Sequence, residues 1–472
     1  TRHLRTRAGL ARSHPEEAVR EAAAALERAR ELLAHQALAR APGSPRVEGQ
    51  LAGLSAEVIR AERVLADVLG EEVSAVVAAP TPAAVCAGLP PGVLLIDLLR
   101  SGHQDQHTYV AFVTDATCAV SRIELGDALT LDEGVQAWTR LIASGADPTF
   151  VAAAGQEVAR RLLGPLGDHL AVHEQLWLVP DGSLHALPWA ALPVSDTAYL
   201  VQRHEIVVLS SVDDVLRPRA PAGVGLVTVG GVDYDRAEAA TSPEVVVSRL
   251  APCDRQAFPP LPATAEESTR LGRQWRRWSR EPVMQLGGAA ATPEAVGAAA
   301  QGARVLHLAT HGYFADRACM TSMGFDEQVA AVHPLLLTGL ALAGANPVPG
   351  GSASGVWTGE QVAGLDLGGV ELVLLSACET GAGTPRAWEG LHGLERAFAV
   401  AGARQVVTSL WPVEDEAAAR LMGQLTSAWL RDPEAGVSAA LREAQLSALA
   451  SARARDGEDG LRDWAAWRVA GR

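Results

Sequence analysis

From about Val73 onward, short and almost uniformly apolar runs alternate with longer stretches of helical periodicity. A strand that is apolar at nearly every position has to be covered on both faces. The pattern therefore predicts an α/β fold, with mostly parallel sheets flanked by helices. The strand-like runs fall at 92–98, 108–114, 175–179, 205–209, 225–229, 304–309, 371–376 and 405–410. Helices are predicted at 131–143, 148–163, 263–279, 292–300, 390–401, 414–430 and 435–449. The alternation occurs twice, with a joint at RPRAPAGV (217–224), so two α/β halves are expected. Upstream, 15–38 and 49–69 read as two amphipathic helices separated by PGSP (42–45), a natural breaker. The expected boundaries are 1–72 for the helical segment, 73–216 for the first half and 217–472 for the second.

Two runs carry the chemistry: VLHLATHGYF (305–314) and ELVLLSACETGAG (371–383). Each is a β-type run that stops at a reactive residue, His311 or Cys378, with glycine close behind. If the runs are neighbouring parallel strands, an imidazole and a thiol lie together at the carboxyl edge of one sheet, where open α/β sheets bind ligands. A thiol with an ordinary pKa of about 8.5 is a poor nucleophile, and an adjacent imidazole or helix N-terminus stabilises its thiolate. His311 can then protonate a leaving amine. The backbone N–H groups of Gly312 and Cys378 are candidates for an oxyanion hole. The plainer alternatives are a small buried cysteine and a hydrogen-bonded structural histidine. The long Gly-, Ala- and Pro-rich segment 312–369 between the runs is placed to shape access.

Other patterns fail their templates. His307 and His311 are four apart, but the run is a strand and HExxH is not matched, so no metal is expected. In GGSASG (350–355) the register of a nucleophile elbow fails at Ala353. No residue among the 40 basic ones is a lysine, which excludes a Walker A lysine, a Schiff base and a Ser–Lys dyad. No cofactor is expected. A net charge of −15 argues against nucleic acid as a partner. No apolar run is long enough for a membrane helix, and the first residues lack a signal-peptide core. The five scattered cysteines (Cys86, Cys118, Cys253, Cys319, Cys378) imply free thiols and a reducing, cytoplasmic compartment. The chain opens at Thr1 and is expected to be a trimmed chain or a piece of a longer one.

HLATHG (307–312), LLSACETGAG (374–383), GLHGLERAFAVAGA (390–403) and TSLWPVEDEAA (408–418) resemble the CHAT family of caspase-like cysteine peptidases, relatives of separases and caspases. LVPDGSLHALPWAAL (178–192), LPATAEES (261–268) and the strands around LLIDLLR and TYVAFVTD fit the same pattern, so the resemblance covers roughly 73–472. It implies that Cys378 is the nucleophile, His311 the general base and acid, and Gly312 the oxyanion-hole glycine. It also implies that the first half is an inactive caspase-like partner of the catalytic half. Relatives commonly carry tetratricopeptide repeats upstream, of which 1–72 is at most a remnant. By resemblance to separases, Asp415 in LWPVEDE lines a pocket for a P1 arginine. A carboxylate there suits a guanidinium through paired hydrogen bonds, although Glu414, Asp415 and Glu416 also suit a helix first turn.

The expected function is a cysteine endopeptidase acting on a protein substrate, and the resemblance implies cleavage after arginine and a regulated role in bacterial antiphage defence or cell death. A pore-forming protein or another effector is the expected substrate, and an upstream helical-repeat or regulatory protein the expected partner. The rival readings are a catalytically silent scaffold that binds protein partners, and an acyl hydrolase or transferase using the same pair.

Overall fold

A computed structural model describes residues 16–39, 45–76, 80–103, 106–218, 220–235, 258–314, 334–346, 355–376 and 387–472. The chain forms two compact units that interleave along the sequence: Thr1–Ala78 with Ala220–Arg404, and Ala79–Arg219 with Gln405–Arg472. No helix among the described residues is long and apolar enough to cross a membrane.

The first unit opens with helices α1 (Glu17–Ala39) and α2 (Pro45–Val76), which pack on each other. Val19, Leu26 and Leu33 recur every seven residues on α1 and are buried, as are Val58, Leu65 and Leu69 on α2. This spacing gives each helix one apolar stripe. Between them Arg30 pairs with Glu62 at 2.8 Å.

The second unit follows with α3 (Pro82–Ala87), β1 (Val93–His103), β2 (Gln106–Thr114), β3 (Ser121–Asp127), α4 (Ala128–Ser144), α5 (Pro148–Leu163), β4 (Gln175–Val179) and β5 (Glu205–Val208). Local chemistry sets the helix ends. Asp127 and Asp147 cap α4 and α5 by accepting backbone N–H bonds, Pro148 opens α5, and Gly145 closes α4 in the left-handed region at φ 67°. β1 pairs antiparallel with β2 and parallel with β4, so only part of this sheet is parallel.

The chain then returns to the first unit through β6 (Leu226–Val232), α6 (Pro262–Trp278), β7 (Val283–Gly288), α7 (Pro293–Ala300), β8 (Val305–Ala309), β9 (Gly312–Phe314), β10 (Thr338–Ala341), β11 (Val356–Thr358), α8 (Gly359–Gly364), β12 (Leu372–Ser376) and α9 (Ala387–Ala401). Its main sheet runs β12-β8-β6-β7, all parallel. Every residue of β8 and β12 is buried, as continuous apolar runs require. The long crossover between them is not structureless. It contributes β9, β10 and β11, a small antiparallel sheet, and α8. Arg30 of α1 reaches Glu360 of α8 at 3.0 Å.

Finally β13 (Gln405–Ser409), α10 (Asp415–Arg431), α11 (Gly436–Asp456) and β14 (Trp467–Gly471) complete the second unit. Its strand order is β3-β2-β1-β4-β5-β14-β13, with β14 parallel to β5 and antiparallel to β13.

One expectation is overturned here. Cys86 and Cys118 are not free thiols but form a disulfide, with Cα atoms 5.2 Å apart. The two cysteines are 32 positions apart, the residues between them hold β1 and β2, and the hairpin returns the chain beside α3. A spacing of that length has no local signature. Such a bond is characteristic of oxidising surroundings. Cys253, Cys319, PGSP residues 42–44 and GGSASG residues 350–354 lie outside the described residues.

Candidate active site

The two motif strands are immediate parallel neighbours. Val305 pairs with Leu372, and the pairing runs in step to Ala309 opposite Ser376. His311 is two residues beyond Ala309, and Cys378 two beyond Ser376. Cys378 itself, within 377–386, lies outside the described residues.

His311 sits just past β8, with 2% of its surface exposed. Its ring lies 5.2 Å from that of Tyr234 and 5.6 Å from that of Phe258. Nε2 is 2.7 Å from the carbonyl oxygen of Pro259. A carbonyl only accepts, so Nε2 carries the proton and Nδ1 is the basic nitrogen of the neutral ring. The pocket around the ring is itself fixed. Asn346 accepts from Phe258 N at 2.7 Å and donates to Phe258 O at 3.1 Å and to the Asp235 carboxylate at 2.7 Å. Asn346 N donates to Tyr234 O at 2.8 Å. Thr310 Oγ1 donates to Ala341 O, which leaves Tyr234 Oη to donate to Thr310 at 2.9 Å. The His311 carbonyl accepts from Ala341 N at 2.8 Å. Gly312, also buried, opens β9 opposite Leu340.

Beneath this layer lies a polar network that is wholly buried. His307 Nε2 donates to Glu267 Oε1 at 2.7 Å, and His307 Nδ1 faces Thr228 Oγ1 at 2.8 Å. Ser376 Oγ donates to Glu267 Oε2 at 3.2 Å, and Thr228 donates to Ser268 at 3.0 Å. His307 is thus the packed strand residue its position suggests. Among the described residues no three His, Cys, Asp or Glu side chains could hold a metal.

Asp415 is the first residue of α10 in the second unit and is half-buried. Sequence patterns missed Glu267, Asn346, Tyr234 and Pro259. Only Glu267 lay in a segment with a signal, LPATAEES.

In the second unit the matching parallel pair is β1 and β4, and two residues past β4 stands Asp181. It accepts from Arg100 N at 2.9 Å and Gly182 N at 2.8 Å. Ser183 donates to Asp132 at 2.5 Å, where a nucleophile would need a base such as imidazole.

A mostly parallel sheet flanked by helices, with two parallel strands ending in step, makes this an α/β fold. The chain belongs to the CHAT domain family, whose model matches residues 152–472. It is 28% identical over 305 residues to human Tetratricopeptide repeat protein 28, covering 60% of this chain and 11% of that protein. The chain therefore spans about a tenth of that relative. Among solved structures, the Arg-specific cysteine proteinase gingipain R matches with TM-score 0.38 and 11% identity, over 73% of this chain and 75% of that one. Saccharomyces cerevisiae separase, in its complex with securin, matches with TM-score 0.46 and 8% identity, over 82% of this chain and 30% of that one.

Proposed function

We propose that the protein is a cysteine endopeptidase in which Cys378 and His311 form the catalytic pair. The observation that carries this reading is the in-step parallel pairing of β8 and β12, with each motif residue two positions past its strand. The Pro259 carbonyl supports it by holding the ring with Nδ1 as the base. In this mechanism Nδ1 takes the thiol proton and the thiolate sulfur attacks the scissile carbonyl carbon. The oxyanion is met by the N–H groups of Gly312 and Cys378. As the C–N bond breaks, His311 returns the proton to the leaving amine, and a thioester remains on Cys378. Water, deprotonated by His311, then hydrolyses the thioester.

The second unit is a non-catalytic support, consistent with its Asp181 and Asp132 hydrogen bonds. Asp415 selects arginine at P1, and the substrate is a protein, on the strength of the family resemblance. A bacterial defence role with a pore-forming or other effector as substrate belongs to the same proposal. The Cys86–Cys118 disulfide weighs against a permanently reducing compartment.

The test uses fluorogenic peptides with Arg, Asp or Leu at P1 against the wild type, Cys378→Ala and His311→Ala. Cleavage is expected after Arg, and each variant should lose at least about 10³-fold in kcat while keeping its circular-dichroism spectrum. Undiminished cleavage by Cys378→Ala overturns the nucleophile. Cleavage only after Asp or Leu removes Asp415 from the pocket.

A further inference from the structure

We infer that Glu267 is a positioning residue that holds the two motif strands, and the carbonyl that orients His311, in one fixed relation. This rests on the proposed Cys378–His311 pair and adds a residue outside it.

Glu267 projects from α6 into the sheet and is 5% exposed. Its two carboxylate oxygens go to different strands: Oε1 to His307 on β8, Oε2 to Ser376 on β12. His307 is four residues before His311, and Ser376 is two before Cys378. Helix α6 also begins three residues after Pro259, whose carbonyl binds His311 Nε2. One side chain thus ties together the strand that leads to the base, the strand that leads to the nucleophile, and the helix that follows the orienting carbonyl by three residues. A slide of α6 along the sheet would draw Pro259 from the ring and break both carboxylate bonds.

The cost of the arrangement argues for a purpose. Thr228 and His307 are fully buried, and Ser376 and Ser268 nearly so. Burying a carboxylate and an imidazole is expensive, and well-packed apolar side chains commonly fill such sites without loss of stability. What apolar packing does not supply is directional registry. Strand hydrogen bonds already fix β8 against β12, but α6 is joined to both at this level through Glu267. A catalytic pair loses rate steeply with displacement, about 10²-fold for 1 Å.

The test measures alkylation of Cys378 by iodoacetamide, located by peptide mapping, with free cysteine and Cys378→Ser as references. The probe requires no P1 preference. The variants are Glu267→Gln, which keeps an acceptor for His307, and Glu267→Leu combined with His307→Leu, which removes both members of the Glu267–His307 pair together. We expect wild-type Cys378 to react well above free cysteine at pH 7. The double variant should melt within a few degrees of wild type yet react about 10-fold or more slower. Glu267→Gln should recover most of the rate. A folded double variant whose Cys378 reacts at the wild-type rate overturns the positioning role and leaves the catalytic pair standing. Wild-type Cys378 no faster than free cysteine removes the pair, and the positioning role with it.

Discussion

Asp97 is half-buried on β1 opposite Val179, where burial, and next the neighbouring Asp181 carboxylate, raise its pKa above the usual carboxylate value. A carboxyl whose folded pKa lies above the unfolded one binds more protons in the folded state. Stability therefore falls as pH rises from the unfolded pKa through the folded one. We expect Asp97→Asn to raise the melting temperature at pH 7. The gain should shrink toward nothing as the pH drops below about 4. Paired melts at pH 3.5 and pH 7 check this, and an equal gain at both would locate the effect in packing instead. Asp97 gave no sequence signal, because its burial, and next the nearby Asp181, come from strands paired across the sheet. The same holds for Asn346, whose partners Phe258 and Asp235 are 88 and 111 residues away. The parallel pairing of the two motif strands could be read directly, because each is a continuous apolar run and such runs sit side by side in a covered parallel sheet. Glu267 lies between these cases. Its segment had a pattern, but only packing shows that its carboxylate reaches two strands.

Among the elements, α6 depends on a close approach that only glycine permits. A Cβ added at Gly230 of β6 would fall well inside contact distance of the Thr264 carbonyl on α6, and Gly231, at φ 63°, donates its N–H to Thr264 Oγ1 at 2.9 Å. Gly230→Ala has to push the helix off the sheet, at about 1–3 kcal/mol. A urea titration should show the lower midpoint. The same variant should slow Cys378 alkylation, because the displaced helix carries Glu267 and begins three residues after Pro259. A wild-type midpoint would mean that the helix yields without loss. Elements with strong local signals were legible in the sequence: β4 and α5 lie at their expected limits, and the other long apolar strands within a few residues. The elements that went unread share a physical cause. β3 and β7 are edge strands with only partly buried side chains, so their apolar periodicity is weak. β9 and β11 are three residues each, too short to show a period. β14 follows a helical region and is recognisable only by what it pairs with.

At the scale of the whole molecule, the interleaving of the two units is what a linear reading does not reveal. The second unit begins near residue 79 and is finished by residues 405–472. Within it the disulfide closes a 32-residue loop, worth roughly 3–4 kcal/mol in a chain-entropy model. Reduction should lower this unit's unfolding midpoint, whereas a Cys86→Ser variant should be indifferent to reductant. If reductant leaves the wild-type midpoint unmoved, the bond carries no stability. The stronger dependence is on β14. It lies between β5 and β13, not at an edge, and Trp467 and Val469 are each 1% exposed. Trp467 O accepts from Gln445 at 2.9 Å, and Arg468 reaches the His185 carbonyl. Deleting 467–472 removes a buried Trp, at about 3–5 kcal/mol, and a buried valine. It also leaves facing backbone groups of β5 and β13 without partners, at about 1–3 kcal/mol for each that stays buried. The sum matches the 5–15 kcal/mol that typically holds a domain together. Hydrogen exchange should then rise toward the unfolded rate in β4, β5 and β13 together, although β4 and β5 lie more than 250 residues before the cut. Retained protection in those strands would show that the unit closes its sheet without the final strand.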